Sequence, residues 1–435
     1  MLTELKLANF RIFDDEVTIR FRPITVLIGK NNAGKSSAIK FLSMLRQSIG
    51  AHGGPFLSTK GEHVDLGNRF FDLKNTRSRK KGLKFNLCVQ GGESPADVVG
   101  QFLKQKGIDP YVYKPQYQVF ADILYNKRGV FQGKSWGMTL SANSEKALKF
   151  HAAITENSKF LDFISERQEQ IANTDSAALN LAIQHCVELI GQSINAIDHI
   201  APSRTGTKRT IDVGRSIPIT HVGSDGRYAL HHLFALWEQH SESGGQREKY
   251  KFVLEHLQKI LDIEAINFLG RGGDLVQCEA INAKTGARAN IANFGFGVSQ
   301  CLPIFVQGAI MHPGATLMVE QPEAQVHPTA QLDLGGYIAR LWQERKVSSI
   351  VETHSSNLLL RLRYLIAEGD GCLKPDDVSI AFFDLDEGKA VVKNLDIDQD
   401  GFIGDGLPME FFGADIREGL KLSAAKYKGP DSEKE

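Results

Sequence analysis

The segment PITVLIGKNNAGKSSAIKFL, residues 23–42, decides the fold of this chain. An apolar run at residues 24–28 leads into the octet GKNNAGKS, residues 29–36, which meets the pattern G-x-x-x-x-G-K-[ST] at every fixed position. A buried strand, a glycine-rich loop and a helix thus follow one another in the order that a phosphate-binding loop requires. The sequence therefore predicts a nucleoside triphosphate site, and we expect the nucleotide to be ATP.

Each fixed position of the octet has a chemical role. The glycines let the backbone turn its N–H groups inward around phosphate oxygens, and the helix that begins near Ser36 adds the positive end of its dipole. Lys35 is expected to reach the β- and γ-phosphates, and the Ser36 hydroxyl is a candidate ligand of Mg²⁺. The residues expected to contact the nucleotide are Gly29, Lys30, Asn31, Asn32, Ala33, Gly34, Lys35, Ser36 and Ser37.

The composition is that of an ordinary globular protein. The 435 residues include 51 basic and 51 acidic ones, so no net charge draws the chain toward nucleic acid or membrane. The five cysteines form no CxxC pair, which argues against a zinc site and a disulfide framework. The N-terminus lacks a signal-peptide core, and no apolar run approaches the length of a membrane span. We expect a soluble, cytoplasmic protein.

A second part of the site is predicted far downstream. The short apolar strand at residues 316–319 ends in Glu320, and Gln321, Pro322 and Glu323 follow. An acidic residue at the end of a buried strand beside the P-loop strand is the usual holder of Mg²⁺, directly or through water. We therefore expect Glu320, together with Ser36, to hold the metal.

Two further segments flank this strand. Residues 293–300, NFGFGVSQ, form a glycine loop ahead of an apolar helix, which is again a phosphate-binding arrangement. The strand at residues 348–351 runs into Glu352, Thr353 and His354, and the His354 ring is expected to donate a hydrogen bond to a γ-phosphate. The glycine-loop residues expected to contact phosphate are Gly295, Gly297, Ser299 and Gln300.

The order of these motifs resembles the ABC-type ATPase heads of the RecF, SMC and Rad50 group. It is most similar to their short-armed relatives, the OLD-like AAA-type ATPases of bacteria (AAA_15 and AAA_21). The opening LKLANFRIFDD at residues 5–15 fits these proteins, and residues 65–68 stand where they have a loop that contacts the nucleotide site. Residues 396–412 resemble the C-terminal segment of the DUF3696-type branch.

The resemblance implies an oligomer. Such heads pair head to tail and enclose two ATP molecules, so each P-loop faces the glycine loop of its partner. The residues that the resemblance assigns to the ATP of their own chain are Lys35, Ser36, Glu320 and His354. The residues that it assigns to the ATP of the partner are Gly295, Gly297 and Ser299.

One departure from the resembling heads concerns hydrolysis. There the strand ends in Asp-Glu, and the Glu is the general base, whereas here the pair is Glu320-Gln321. An amide cannot take a proton, and loss of a general base typically costs about 10²–10⁴ in rate. Either hydrolysis is slow and ATP mainly holds the dimer together, or Glu323 supplies the carboxylate. We expect a competent but slow ATPase.

The predicted fold class is α/β: a P-loop NTPase of the ABC-ATPase head type. We expect a mixed sheet around the P-loop helix, an antiparallel β subdomain and a helical insertion. The predicted units are the N-terminal half of the head at residues 1–109 and an insertion with two or three helices at 110–199. The C-terminal half of the head follows at 200–395, and a C-terminal segment with a polar tail at 396–435.

Three functions remain open from the sequence. The first is an ATPase switch that regulates a separately encoded effector such as a nuclease, as resembling proteins do in anti-phage defence. The second is a RecF-like ATPase of DNA repair or DNA structure. The third is an ATP-bound oligomeric scaffold that hardly hydrolyses. Residues 74–84, KNTRSRKKGLK, hold six basic residues that could meet a phosphate backbone, although a solvated loop tip is the alternative.

Overall fold

The computed structural model describes most of the chain, in separate stretches. The described residues are 1–50, 57–61, 63–67, 72–75, 82–90, 116–125, 131–143, 146–152, 188–214, 216–218, 220–240, 245–270, 272–369, 371 and 373–404.

Strands and helices are numbered in chain order over these residues. The strands are β1 (Leu2–Ala8), β2 (Val17–Arg20), β3 (Ile24–Gly29), β4 (Gly82–Gln90), β5 (Gln116–Tyr125), β6 (Phe131–Asn143), β7 (Lys146–Ala152), β8 (Ile197–Ile200), β9 (Thr210–Asp212), β10 (Ile263–Gly270), β11 (Leu275–Asn282), β12 (Arg288–Asn290), β13 (Thr316–Glu320), β14 (Ser348–Glu352), β15 (Val378–Asp386) and β16 (Lys389–Leu395). The helices are α1 (Lys35–Gly50), α2 (Ala229–Gln239), α3 (Gly245–Leu261), α4 (Gly295–Ile310), α5 (Pro328–Arg345) and α6 (Ser356–Ala367), with a further helical stretch at 188–195.

The central sheet positions the site. Its strand order is β16-β15-β3-β14-β13-β8, and the five strands from β15 to β8 are parallel. Every residue of β3, β13 and β14 is buried, which explains why apolar residues dominate β3 and the middle of β13. Because carboxyl ends of parallel strands meet at one edge, the P-loop after β3 lies beside the ends of β13 and β14.

The P-loop helix α1 is enclosed between two sheets. An antiparallel sheet in the order β2-β1-β4-β5-β6-β7 covers one side, and apolar residues of β1, β2, β4 and α1 share one core with residues of the central sheet. Phe41 of α1 packs edge-on against Phe10 and Phe85, with ring centroids 5.2 Å apart in both pairs. The predicted mixed sheet around the P-loop helix and the antiparallel β subdomain are confirmed, and with them the P-loop α/β fold class.

The opposite face of the central sheet is covered by helices α2 to α6, which share a second core with it. A smaller sheet, β10-β11-β12 with β9 on β11, borders these helices. Its last strand, β12, leads through a short 3₁₀ helix, Ile291–Asn293, into α4. Asn290 caps this turn, because its side chain accepts a hydrogen bond from the N–H of Ala292 at 3.0 Å.

The insertion predicted at residues 110–199 is not only helical. Residues 116–152 contribute β5, β6 and β7, which extend the antiparallel sheet edge to edge, and helix is described only at 188–195. The helical prediction was wrong for 116–152, where the structure has three strands. In LKFHA, residues 148–152, apolar and polar positions alternate with the period of two that is typical of a strand. The boundaries of the predicted units stay predictions.

Candidate nucleotide-binding site

The P-loop adopts a backbone conformation that its glycines make possible. Gly29 has φ +131° and Gly34 has φ +112°. A Cβ built on Gly29 would lie 2.0 Å from the backbone oxygen of Phe383, and one on Gly34 would lie 2.5 Å from the ring of Phe13. A side chain is excluded at both positions, so the loop can wrap a phosphate closely. Helix α1 begins at Lys35, one residue before the predicted start.

Lys35 lies at the base of this loop. Its side chain is buried, and Nζ donates hydrogen bonds to the carbonyl oxygens of Gly29 at 2.9 Å and Lys30 at 2.8 Å. Burial lowers the pKa of Lys35, and the nearby Glu352 opposes this shift. The ammonium group is therefore held inside the loop by two carbonyls that a phosphate group can replace.

Two buried glutamates stand side by side next to the loop. Glu320 at the end of β13 is the register partner of Glu352 at the end of β14. The Ser36 hydroxyl donates to Oε1 of Glu352 at 3.0 Å. Burial, followed by repulsion from Glu320, raises the pKa of Glu352 to about 7, although the Ser36 hydrogen bond and Lys35 oppose the shift. A pair of carboxylates this close favours a proton or a cation between them.

These oxygens fit a magnesium ion. The donors would be the Ser36 hydroxyl and the carboxylates of Glu320 and Glu352, which are the hard oxygen ligands that Mg²⁺ prefers. Oε2 of Glu352 is buried and has no hydrogen-bond partner among the described residues. A bound cation would satisfy this oxygen. The sequence reasoning assigned no role to Glu352. The available signal was its place at the end of a strand adjacent to that of Glu320.

His199 holds Glu320 from the other side. Its Nε2 lies 2.8 Å from Oε1 of Glu320, and both side chains are about 6% exposed. His199 belongs to β8, which pairs with β13 in parallel. The orientation of the Glu320 carboxylate is thus fixed by a residue that the sequence reasoning missed, since nothing in the stretch IDHI marks its histidine as part of a site.

Gln321 and Glu323 lie in different places. Gln321 has φ +45°, its N–H donates to the carbonyl of Glu352 at 2.7 Å, and it lines the nucleotide cavity. Oε1 of Glu323 accepts a hydrogen bond from the backbone N–H of His354 at 2.7 Å, and Oε2 is buried. Glu323 therefore positions the His354 loop. Burial, and next Lys35, lower the pKa of His354, which favours the neutral ring with one N–H donor.

A cavity of about 470 Å³ lies beside the P-loop and has a size typical of small-ligand sites. It is lined by Arg11, Ile12, Asn31, Asn32, Gly34, Lys35, Ser36, Ser37, Lys40, Gln321, Glu352 and His354. A larger cavity of about 790 Å³ adjoins the residues that precede β8 and β13, including Ala196 and Ala315, and no P-loop residue lines it. The P-loop residues thus line the smaller cavity.

The glycine loop at 293–300 does not line the nucleotide cavity of its own chain. Gly295 opens α4 with φ +58°, and Phe296 beside it is 67% exposed. The Ser299 side chain is buried, and its Oγ lies 2.8 Å from Oγ1 of Thr207. The structure brings together the P-loop, Glu320, Gln321 and His354, and leaves Gly295, Gly297, Ser299 and Gln300 apart from them.

Some expectations concern residues outside the described part of the chain. Residues 76–81 of the basic stretch at 74–84, residue 68 and residues 405–412 lie outside the described part. Within that part, no group of three or more His, Cys, Asp or Glu side chains is arranged to hold a metal. Over the same residues, no helix is long and apolar enough to cross a membrane.

Comparisons with solved structures found low similarity to SMC heads. An SMC head bound to the C-terminal winged-helix domain of ScpA is 13% identical, with TM-score 0.48 over 91% of this chain and 98% of that one. The SMC head of Thermotoga maritima is 8% identical, with TM-score 0.41 over 90% of this chain and 98% of that one. An SMC head with an extended coiled coil, bound to the C-terminal domain of ScpA derived from Pyrococcus furiosus, is 12% identical. Its TM-score is 0.45 over 98% of this chain and 99% of that one. We draw no functional conclusion from these values.

Comparisons by sequence gave one family. A search among curated proteins found no match. The model of the family AAA_15, described as an AAA ATPase domain, matches residues 1–359, which include the P-loop, Glu320 and His354. With most of its length covered by this model and its P-loop intact, the chain belongs to the AAA_15 family of AAA ATPase domains.

Proposed function

We propose that the chain binds ATP with Mg²⁺ in the 470 Å³ cavity, hydrolyses it slowly and pairs head to tail with a second copy around the nucleotide. The observation that carries this proposal is the separation of the two phosphate-binding segments. The cavity is lined by the P-loop, Gln321, Glu352 and His354, and by no residue of 293–300. The glycine loop, with its exposed Phe296, is therefore available to a second molecule.

Five residues in and beside the cavity have a task in this proposal. Lys35 exchanges its two carbonyl partners for the β- and γ-phosphates, and the helix dipole of α1 favours their negative charge. Ser36, Glu320 and Glu352 hold the metal, which when bound neutralises charge on the β- and γ-phosphate oxygens. His354 donates from its neutral ring to the γ-phosphate.

The rate of hydrolysis depends on Gln321. Its amide can orient a water molecule but cannot take the proton. Oε1 of Glu323 accepts a hydrogen bond from the His354 backbone N–H, so this carboxylate is poorly placed to act as the base. Burial raises the pKa of Glu352, but the same carboxylate is needed for the metal. These features favour slow turnover.

A mixing experiment tests the pairing. Lys35→Ala removes the P-loop lysine, and Ser299→Ala removes the glycine-loop hydroxyl. Each variant alone is expected to be inactive. In a mixed dimer, the intact P-loop of the Ser299 variant meets the intact glycine loop of the Lys35 variant, so random pairing should restore about a quarter of the wild-type turnover. Absence of recovery, with mixed dimers detected by differently tagged chains, would refute pairing head to tail.

We also propose that the ATP-bound pair controls a separately encoded effector, such as a nuclease, in anti-phage defence. Support for this role comes from the resemblance to OLD-like ATPases. The test is a plaque assay with the gene and its neighbours, comparing the wild type with Lys35→Ala. We expect protection to be lost in the variant, and equal protection would contradict a nucleotide-controlled switch.

An ATP-held scaffold with little hydrolysis is the second candidate, and Gln321 at the lining of the cavity favours it. The two functions differ in the lifetime of the dimer after free ATP is removed. A dimer that decays at the rate of phosphate release indicates a switch. A dimer that persists without phosphate release indicates a scaffold.

A further inference from the structure

A loop after β8 bridges the two halves of the ATP site. Residues 204–209 lie between the carboxyl end of β13, which carries Glu320, and the N-terminal part of α4, which carries Ser299 and Gln300. We call this segment the bridging loop. The proposed function gives it no role.

Arg204 makes the first connection. It is buried, and Nη2 donates to the carbonyl oxygen of Glu320, while Nη1 donates to Oε1 of Gln300 at 3.1 Å. Burial lowers the pKa of Arg204 to about 10, so the guanidinium remains charged at neutral pH. One rigid, planar group is thus bonded to the metal-holding strand and to the glycine-loop helix.

Thr207 and Arg209 make the second connection. The N–H of Thr207 donates to Oγ of Ser299 at 3.0 Å, and the two hydroxyl oxygens lie 2.8 Å apart. Arg209 donates to Oδ1 of Asn293 at 2.9 Å, and its carbonyl accepts from Nδ2 of Asn290 at 2.8 Å. The bridging loop therefore holds the glycine loop at both ends.

We propose that the bridging loop couples the two ATP sites of the dimer: Arg204 transmits the position of the Glu320 strand end to α4, and Thr207 retains the Ser299 hydroxyl until α4 moves. This inference rests on the head-to-tail pairing proposed above. Its physical basis is that packed elements shift as units between discrete arrangements, so a displacement at Glu320 moves Gln300 through the guanidinium. Arg204 is a positioning residue whose effect falls on the ATP of the partner.

Arg204→Lys is the sharpest change, because an ammonium keeps the charge but lacks the planar fork that reaches a carbonyl and an amide together. Arg227→Lys is the matched control, since Arg227 lies after the same loop and its side chain is 57% exposed. We expect Arg204→Lys to lower turnover about tenfold, which corresponds to the loss of one charged hydrogen bond. Binding of a fluorescent ATP analogue to the P-loop should remain within twofold of wild type, a difference too small to reflect a lost hydrogen bond.

Two mixtures identify the site that Arg204 serves. Mixed with Lys35→Ala, the Arg204→Lys chain should recover turnover, because its intact P-loop meets an intact glycine loop on the partner. Mixed with Ser299→Ala, it should not recover, because both chains are then defective on the glycine-loop side. The reverse pattern would show that Arg204 acts on the ATP of its own chain, which overturns the inference.

The mixture of Lys35→Ala with Ser299→Ala separates this inference from the function on which it rests. If that mixture fails to recover, the head-to-tail pairing is wrong. If it recovers and Arg204→Lys with Lys35→Ala does not, only the coupling is wrong.

A second variant covers the case in which Arg204→Lys does not fold. Thr207→Val removes a hydroxyl at a partly exposed position and keeps the backbone N–H, so Ser299 loses one of its two contacts with Thr207, and dimers should form at about fivefold lower ATP concentration. Thr207→Ser keeps the hydroxyl and should restore the wild-type concentration. If Thr207→Val needs as much ATP as wild type or more, Thr207 does not retain Ser299.

Discussion

His256 makes the stability of this protein depend on pH in a range that the structure defines. The ring is 2% exposed, and Nδ1 lies 2.6 Å from the carbonyl oxygen of Phe252. It packs among aromatic rings, with centroids 4.5 Å from Phe252 and 4.8 Å from Tyr337. Burial lowers the pKa of His256 to about 4, and the Arg340 charge adds to that shift, while the Phe252 carbonyl opposes it.

The sign of the effect follows from the two pKa values. A histidine whose pKa is lower in the folded state binds protons better when the chain unfolds. The free energy of unfolding therefore decreases as pH falls below 6.5, and this decrease levels off near pH 4. At about 1.4 kcal/mol per pH unit, His256 alone should reduce the free energy of unfolding by roughly 2 kcal/mol at pH 5 relative to pH 7.

The test compares urea unfolding of the wild type and His256→Gln between pH 7.5 and pH 5, followed by tryptophan fluorescence. The glutamine does not titrate and retains an N–H donor. From pH 7.5 to pH 5, the free energy of unfolding of the variant should increase by about 2 kcal/mol relative to that of the wild type. His312→Gln, at an exposed histidine, is the control and should follow the wild type. If His256→Gln loses stability in parallel with the wild type, the buried ring is not the source of the effect.

The remaining predictions concern the P-loop and the base position. Lys35→Ala should weaken ATP binding about 10- to 100-fold, measured by calorimetry, because a charged hydrogen bond to phosphate is lost; unchanged affinity would remove Lys35 from the site. Gln321→Glu should raise turnover by at least about tenfold, because it supplies the missing base. Glu323→Gln should reduce turnover, because Glu323 holds the His354 loop. If Glu323→Gln has no effect on turnover, Glu323 neither acts as the base nor positions His354. Gly29→Ala should cost about 3 kcal/mol or prevent folding, because its Cβ would lie 2.0 Å from a backbone oxygen. Gly270→Ala is the control and should be tolerated, because a Cβ built on Gly270 has no other atom within 4 Å. Thermal unfolding of the two variants measures the difference.

The sequence predicted the order of strand, loop and helix around the P-loop, and the structure has β3 and α1 on either side of it. The P-loop needs only a spacing of eight residues, since its N–H groups, its lysine and its serine come from one turn of chain and one helix start. The strands that end at Glu320 and Glu352 were predicted from short apolar runs, residues 317–319 and 350–351, which suit strands buried on both faces. The antiparallel strands at residues 116–152 were missed, since mixed polar and apolar positions there can be read with either period.

The role of Glu323 shows where motif reasoning stops. From the sequence it was a candidate base, two residues beyond Gln321. In the structure its carboxylate is occupied by the His354 backbone N–H, a residue 31 positions away, and it does not line the cavity. Only the fold decides which of several nearby carboxylates faces the nucleotide.

The sequence by itself predicted a triphosphate site, because that chemistry is contained in eight consecutive residues, and it carried the match to the AAA ATPase domain family. Tertiary structure decided the rest of the site. Ser36 meets Glu352 across 316 residues, and Arg204 meets the Glu320 carbonyl across 116, through the pairing of parallel strands. The same burial that brings the two glutamates together raises the pKa of Glu352, and no spacing in the chain encodes that effect.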